Sequence, residues 1–388
     1  MSLPNLFAIA AQIDMKAVIL SMTSGEGHNT IAKVIATELN KRNVQTEIVD
    51  IFKHDGFEYR FNNWGYLFLC KYLPRSYDFC WKILKFRKSE RRYHGTAQRE
   101  VQKVAEAISR RVDKLEQDAP VDFFVCVHPY TAMLCDYWKR CGKHTNKKAF
   151  AVLTDLLPHP LWESAIRCDY VLTPTRDSFE QLQMKGFRLE QLIDCGFPTT
   201  PKPAEQDRDT LRQKLNLSDK FTVMIISGGF GIGNNDKVAK LLLKNDVQIL
   251  CMNGRNKKAY KKTQKLAAKH PQVHNYAFVD NLEELMQACD VVVSRGGAGT
   301  LFCAMSVGLP IVAREGLIIN ERENAEILQN AGALLKLKKL SELPRVIADL
   351  KTHPQKLENM RHACQKVTQN RNVVDVCDKM MELYEVST

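Results

Sequence analysis

Short apolar runs rich in β-branched residues alternate with amphipathic stretches from Met15 to the end of the chain. Residues 16–21, 45–51, 121–127, 149–154, 170–173 and 192–195 are predicted strands. Between them Ile31, Val34, Ile35 and Leu39 share one helix face, and Val101, Val104, Ala105, Ile108 and Val112 share another. The pattern breaks at Gly196-Phe-Pro198 and Pro201-Lys-Pro203, a predicted linker followed by the charged stretch 205–212. It then restarts, with strands expected at 221–227, 248–253, 273–278, 291–294 and 311–313 and an amphipathic helix over 373–384. Two successive βα arrays predict an α/β protein of two parallel-sheet domains, residues 15–198 and 199–372, followed by a final helical segment at 373–388. Ligands of such sheets bind beyond the carboxyl ends of the strands, so the loops there are the place to look for chemistry.

Composition narrows the class. With 45% hydrophobic and 26% charged residues, the chain has the balance of a folded globular protein rather than a disordered one. The longest apolar runs, such as 65–70, fall short of the roughly 18 residues that would span a membrane. Residues 1–14 read as an N-terminal extension outside the fold. Ala8-Ile-Ala10 looks like a signal-peptidase site, but no Lys or Arg precedes it. The twelve cysteines are scattered without a C-x-x-C or a zinc spacing, which predicts reduced thiols in a cytosolic protein. Much of the +12 formal charge is concentrated: residues 60–111 hold thirteen Lys or Arg against four Asp or Glu. A second basic run, 255–269, has the spacing of a solvated helix face.

Three motif groups stand at predicted strand ends. Ser24-Gly-Glu-Gly-His28 is a glycine turn before a helix, where negative charge is favoured. It is an imperfect dinucleotide fingerprint with Thr30 in the third glycine position, and Asp50 ends the second strand where a ribose-binding acid would sit. A tight turn with a structural histidine is the simpler reading of this loop alone. Asp155 and His159 follow the strand at 149–154, held by Pro158 and Pro160, and Trp162 either packs or stacks on a ligand. In the second half, loops containing Gly228, Gly229 and Gly231, then Gly254 and Arg255, then Arg295, Gly297, Gly299 and Thr300 converge on one sheet edge. Together they can offer backbone N–H groups to a diphosphate, with Arg295 as counter-charge.

The series Ser-Gly-Glu-Gly-His, Thr154-Asp-x-x-x-His-x-x-Trp162, Gly196-Phe-Pro198, Asn253–Asn256, Phe278-Val-Asp-Asn281 and Arg295–Thr300 leading to Gly308-Leu-Pro310 resembles the monogalactosyldiacylglycerol synthase and processive diacylglycerol glucosyltransferase family. More distantly it is similar to the lipid II-forming N-acetylglucosaminyltransferase. The resemblance covers most of residues 15–335. It implies a GT-B fold of two Rossmann-like domains, an acceptor site in the first domain and a UDP-sugar site in the second, with residues 373–388 crossing back to the first. By the same resemblance His28 is a candidate base or orienting group, and Asp155 and His159 form the second cleft motif. Phe278 and Val279 meet the uracil, while Gly297, Gly299 and Thr300 hold phosphate.

The sequence departs from the family at two places. Thr300-Leu-Phe-Cys303 stands where a Thr-Ile-Ala-Glu pattern supplies a ribose-binding carboxylate. The later Ile318-Ile-Asn-Glu-Arg-Glu-Asn324 keeps Glu321 and Asn324 without the glutamine, and one of these two is expected to take over the ribose contact.

Within 57–95, aromatics including Trp64, Tyr66, Phe68 and Trp81 interleave with bases including Lys85, Arg87, Lys88, Arg91 and Arg92. This is the composition of a surface that meets an anionic membrane. Single-stranded nucleic acid ranks second, without an RNP, KH or OB pattern to support it. The expectation is a hexosyltransferase that uses a UDP-sugar and a diacylglycerol-type acceptor, peripheral on the cytoplasmic face of a membrane, with no metal or other cofactor. The rivals are a sugar-nucleotide epimerase on the same fold and a catalytically silent lipid- or nucleotide-binding descendant.

Overall fold

The computed structural model describes residues 15–23, 26–51, 76, 78–79, 96–202, 207–314 and 318–386. Trp64, Tyr66, Phe68, Trp81, Lys85, Arg87, Lys88, Arg91 and Arg92, the expected membrane surface, lie outside the described residues.

The first half runs β1 (Met15–Ser21), α1 (Glu26–Asn40), β2 (Val44–Asp50), α2 (Thr96–Leu115), β3 (Phe123–Cys126), α3 (Pro129–Arg140), β4 (Lys148–Val152), β5 (Tyr170–Thr173), α4 (Arg176–Met184) and β6 (Leu192–Asp194). The second runs α5 (Arg208–Lys214), β7 (Thr222–Ile226), α6 (Asn235–Leu242), β8 (Gln248–Met252), α7 (Lys257–Ala267), β9 (Val273–Tyr276), α8 (Leu282–Gln287), β10 (Val291–Ser294), α9 (Ala298–Ser306), β11 (Ile311–Ala313), α10 (Ile319–Asn330) and β12 (Leu334–Lys336). Helices α11 (Leu343–Thr352), α12 (Pro354–Thr368) and α13 (Val373–Glu385) close the chain.

Both sheets are six-stranded, in the orders β2-β1-β3-β4-β5-β6 and β12-β11-β10-β7-β8-β9, and every pairing is parallel. The continuous apolar runs follow from this: β3, β7 and β10 are buried along their whole length because helices cover both sheet faces. Strand β12 was not predicted. Three residues at a sheet edge are too few to show a period.

Alternate residues of the central strands enter different cores. Val18 and Leu20 face an outer cluster with Phe124 and Trp138, while Ala17 and Ile19 join a second cluster that also contains Met224, Ile226 and Phe302 of the other half. The predicted linker is part of this shared core. Phe197 is buried and stacks on Phe302, with ring centroids 3.9 Å apart and planes 8° apart. Helix α13 lies against the first sheet, where Tyr384 packs on Phe123 and its hydroxyl donates to Asp122 Oδ1 at 3.0 Å. Just before it, Arg371 donates to the Asp194 carbonyl and carboxylate, each at 2.7 Å, and the Val373 amide donates to the Thr199 carbonyl at 3.0 Å.

Candidate active site

Strand order locates the site. In the first sheet β2 and β3 flank β1, and in the second β8 and β10 flank β7, so each sheet has a point where successive connections diverge and leave a crevice at the carboxyl ends. The loops after β1, β3 and β4 meet at the first crevice and those after β7, β8 and β10 at the second.

His28 lies in the first turn of α1, half-buried. Its Nδ1 is 2.8 Å from the Val127 carbonyl oxygen and 3.1 Å from Thr154 Oγ1. A carbonyl only accepts, so Nδ1 carries the proton and Nε2 the lone pair. Burial lowers the pKa from 6.5 to about 4, against the opposing effect of the Val127 carbonyl. At neutral pH this imidazole is uncharged, in one tautomer, with the lone pair of Nε2 available. The turn is fixed by Asn29, which accepts from Ser21 Oγ at 2.6 Å and donates to Thr23 Oγ1 at 2.7 Å. Thr23 in turn donates to Asp50 through its amide, at 3.3 Å, and its hydroxyl. Asp50, which occupies the ribose-acid position of a dinucleotide fingerprint, is therefore an anchor for the loop.

Sequence reasoning missed His128. It caps α3, its Nδ1 accepting the Tyr130 amide at 3.1 Å, and its ring meets that of His28 edge-on with centroids 4.5 Å apart. Burial, and then the neighbouring His28 and His159, hold its pKa well below the usual histidine value. His159 repeats the device, capping the 3-10 turn Pro160–Ala165 with Nδ1 accepting the Leu161 amide at 3.0 Å. As neutral rings both carry their proton on Nε2. The available signal for His128 was its place between a strand end and Pro129, the same context as His159 before Pro160. Trp162 is buried in the first core, which settles it as packing.

Asp155 faces the second half. Asn324 Nδ2 donates to Asp155 Oδ1 at 3.4 Å and to the Gly296 carbonyl at 3.1 Å. Burial raises the Asp155 pKa from 3.8 to about 7, against the Asn324 hydrogen bond and with Glu321 and Glu323 adding to the rise.

The glycine loops divide into two kinds. Gly231 and Gly254 have φ of +57° and +53°, and their loops interlock. The Arg255 amide donates to the Gly229 carbonyl at 2.8 Å and Asn256 Nδ2 to the Gly231 carbonyl at 2.9 Å. A Cβ on Gly231 would lie 2.9 Å from Asn256 Cβ and closer still to the Asn253 carbonyl oxygen. One on Gly254 would lie 2.8 Å from the Gly229 carbonyl carbon. These glycines permit loop-to-loop approach. Gly297 and Gly299 differ, because a Cβ on either would meet nothing within 4 Å. Gly297 caps α9 with no side-chain hydrogen bond, so the N-terminus of that helix presents amides where an anion is favoured.

A pocket of about 220 Å³ lies in the cleft. Gly27, Thr30 and Ile31 line it from the first half; Gly228, Gly229, Gly254, Phe278, Val279, Gly299, Thr300 and Cys303 line it from the second. The Arg255 guanidinium stacks over the Phe278 ring, 4.2 Å from its centroid.

Three residues expected at the donor site, Arg295, Glu321 and Asn324, are already engaged with protein partners. Arg295 is no unengaged counter-charge: its Nη2 pairs with Glu321 Oε1 at 2.5 Å and its Nη1 donates to the Ile232 carbonyl, an arrangement burial enforces because a buried cation needs a partner. Glu321 is thereby committed to Arg295, and Asn324 to Asp155 and Gly296; neither lines the pocket that Cys303 lines. Arg314 joins the cluster unforeseen, donating to Ser227 Oγ at 2.7 Å, its pKa lowered to about 10 by burial and the Arg295 charge.

Two parallel sheets in these orders, with glycine-rich strand ends of the second half and the His28 turn of the first lining one cleft, define the GT-B glycosyltransferase fold. Solved structures agree: Acinetobacter baumannii MurG superposes with a TM-score of 0.61 at 16% identity, covering 95% of this chain and 99% of that one. Phytolacca americana UGT2, solved with UDP-2fluoro-glucose and pterostilbene, superposes at 0.63 and 12% identity over 96% and 100%. Residues 28–199 match the family described as Monogalactosyldiacylglycerol (MGDG) synthase, and residues 234–376 the Glycosyltransferase family 28 C-terminal domain. The first half is thus similar to monogalactosyldiacylglycerol synthases and the second to the C-terminal domain of family 28 glycosyltransferases. A probable monogalactosyldiacylglycerol synthase of Glycine max is 29% identical over 86% of this chain, and the chain spans 64% of that relative's length. A processive diacylglycerol beta-glucosyltransferase of Bacillus licheniformis is 25% identical over 65% of this chain and 66% of its own. No helix among the described residues is long and apolar enough to cross a membrane.

Proposed function

We propose that this protein transfers a hexose from a UDP-sugar to the hydroxyl of a diacylglycerol-type lipid while bound peripherally at the cytoplasmic face of a membrane. The observation that carries the reading is one cleft whose lining joins Gly27 and Thr30, on either side of the neutral, tautomer-fixed His28, to Gly299 and Thr300 at the unobstructed N-terminus of α9. The lipid hydroxyl oxygen attacks the anomeric carbon as the bond from that carbon to the diphosphate oxygen breaks. The hydroxyl proton passes to His28 Nε2, and Asp155, titrating near neutrality, is the second group able to take it. UDP leaves with the bonding pair, and the amides of α9 and the Gly228–Gly229 loop stabilise the growing negative charge.

The named activities of the soybean and Bacillus relatives support this reading, as does the aromatic and basic composition of 57–95. The test is a donor screen with UDP-glucose, UDP-galactose and UDP-N-acetylglucosamine on vesicles of diacylglycerol in anionic phospholipid, read by product mass. A hexosyl-diacylglycerol is expected. Folded, vesicle-bound protein that releases no UDP with any donor would overturn the enzymatic reading. Replacing Lys85, Arg87, Lys88, Arg91 and Arg92 with glutamine should release the protein from the vesicles, since each contributes about 1 kcal/mol near such a surface.

A further inference from the structure

We infer that Glu283 is the residue that reads the ribose of the donor nucleotide, an inference that rests on the UDP-sugar reading above. Glu283 lies in the first turn of α8 and lines the cleft pocket together with Phe278, Val279, Gly299 and Cys303. Its Oε1 accepts from Cys303 Sγ at 3.4 Å and from the Thr200 hydroxyl. Among the described residues its Oε2 takes no hydrogen bond.

The chemistry of the two neighbours sets the direction of these bonds. Burial, and then the Glu283 charge, push the Cys303 thiol well above the usual range, so it stays protonated and donates. A protonated thiol is a weak acceptor and cannot itself recognise a pair of hydroxyls. Cys303 and Thr200 instead hold one carboxylate oxygen from two sides and leave the other for the pocket. A nucleoside diphosphate has its ribose between base and phosphates. With the base against Phe278 and Val279 and the phosphates at the N-terminus of α9, the same pocket wall carries Glu283, just after Val279 in the chain, hydrogen-bonded to Cys303, one turn along α9 from Gly299. A carboxylate is the acceptor that vicinal hydroxyls need, and it plays this part toward ribose in other parallel-sheet nucleotide sites. Glu283 does from a neighbouring helix what a carboxylate at position 303 would do.

The test compares UDP with 2′,3′-dideoxy-UDP by calorimetry on wild type and Glu283→Gln. Wild type should prefer UDP by about ten- to a hundredfold, the range of hydrogen bonds to a charged acceptor. Glu283→Gln should lose most of that preference while binding the dideoxy nucleotide as wild type does. Because the preference is a ratio within one preparation, partial misfolding of the variant does not alter it. A variant that keeps the full preference overturns this inference alone. Wild type that binds no UDP overturns the donor reading and this inference with it.

Discussion

Two glycines of similar appearance should respond oppositely to alanine. At Gly231, with φ of +57°, alanine costs about 1–2 kcal/mol for the left-handed conformation alone. Its methyl also overlaps the Asn253 carbonyl and stands 2.9 Å from Asn256 Cβ, so the two loops must separate. Separation breaks the Asn256-to-Gly231 and Arg255-to-Gly229 hydrogen bonds, of 2.9 and 2.8 Å. At roughly 1 kcal/mol each, these bring the loss to about 3–4 kcal/mol. A shift of roughly 6–15 °C in melting temperature should follow for a domain of this size. Gly297 has φ of −67° and ψ of 127°, ordinary for alanine, with nothing within 4 Å of the new methyl. Stability of Gly297→Ala should stay within about 0.5 kcal/mol of wild type. UDP affinity should fall tenfold or more, because the methyl fills the space in front of the α9 amides. Thermal melts and UDP calorimetry on both variants decide the matter. Gly297→Ala that binds UDP like wild type, or Gly231→Ala that melts with it, would refute the division of roles.

His28→Ala should lower transfer by about 10²–10⁴-fold while UDP affinity changes less than twofold, and stopped-time product assays beside calorimetry separate the two effects. A near wild-type rate would remove His28 from the proton's path. Stability against pH tests the two shifted groups. The His28 pKa falls on folding from 6.5 to about 4, so its neutral form contributes stability above 6.5 that is lost as pH drops toward 4. The Asp155 pKa rises from 3.8 to about 7, so its contribution is complete below 3.8 and is lost as pH climbs toward 7. In denaturant titrations, the stability of Asp155→Asn relative to wild type should increase from pH 4 to 7. That of His28→Asn should increase from pH 6.5 down to 4. Differences independent of pH would show that these groups do not titrate as the cleft dictates.

Both parallel sheets were legible because buried parallel strands carry unbroken β-branched runs, as in Val291–Ser294 and Thr222–Ile226. The glycine loops and His28 were legible because strand ends and turns have their own residue preferences. Side-chain commitments were not. Nothing in the spacing of Arg295 and Glu321 says that they pair, since the contact joins a loop after β10 to the first turn of α10, 26 residues on, and only the sheet order brings them together. Cys303 was visible as a missing carboxylate. Glu283 belongs to no motif, and its approach to Cys303 depends on how α8 packs beside α9.

The chain passes between the halves twice, and the passages lie side by side. Arg371 clasps Asp194, a Cβ on Gly196 would stand 2.6 Å from Arg371 Cβ, and Val373 bonds to Thr199. A single tether would let one half swivel in any direction. Two parallel tethers fastened to each other would confine any relative movement of the halves to rotation about one axis, with little twist or slide. Because Phe197 wedges beside that axis and Thr200 bonds to Glu283, the pivot sits against the pocket rather than remote from it. A small angular movement then opens the far rim of the cleft widely while barely disturbing the nearer wall. That geometry would suit the proposed transfer, in which a soluble nucleotide is held while bulky lipid is exchanged at the mouth.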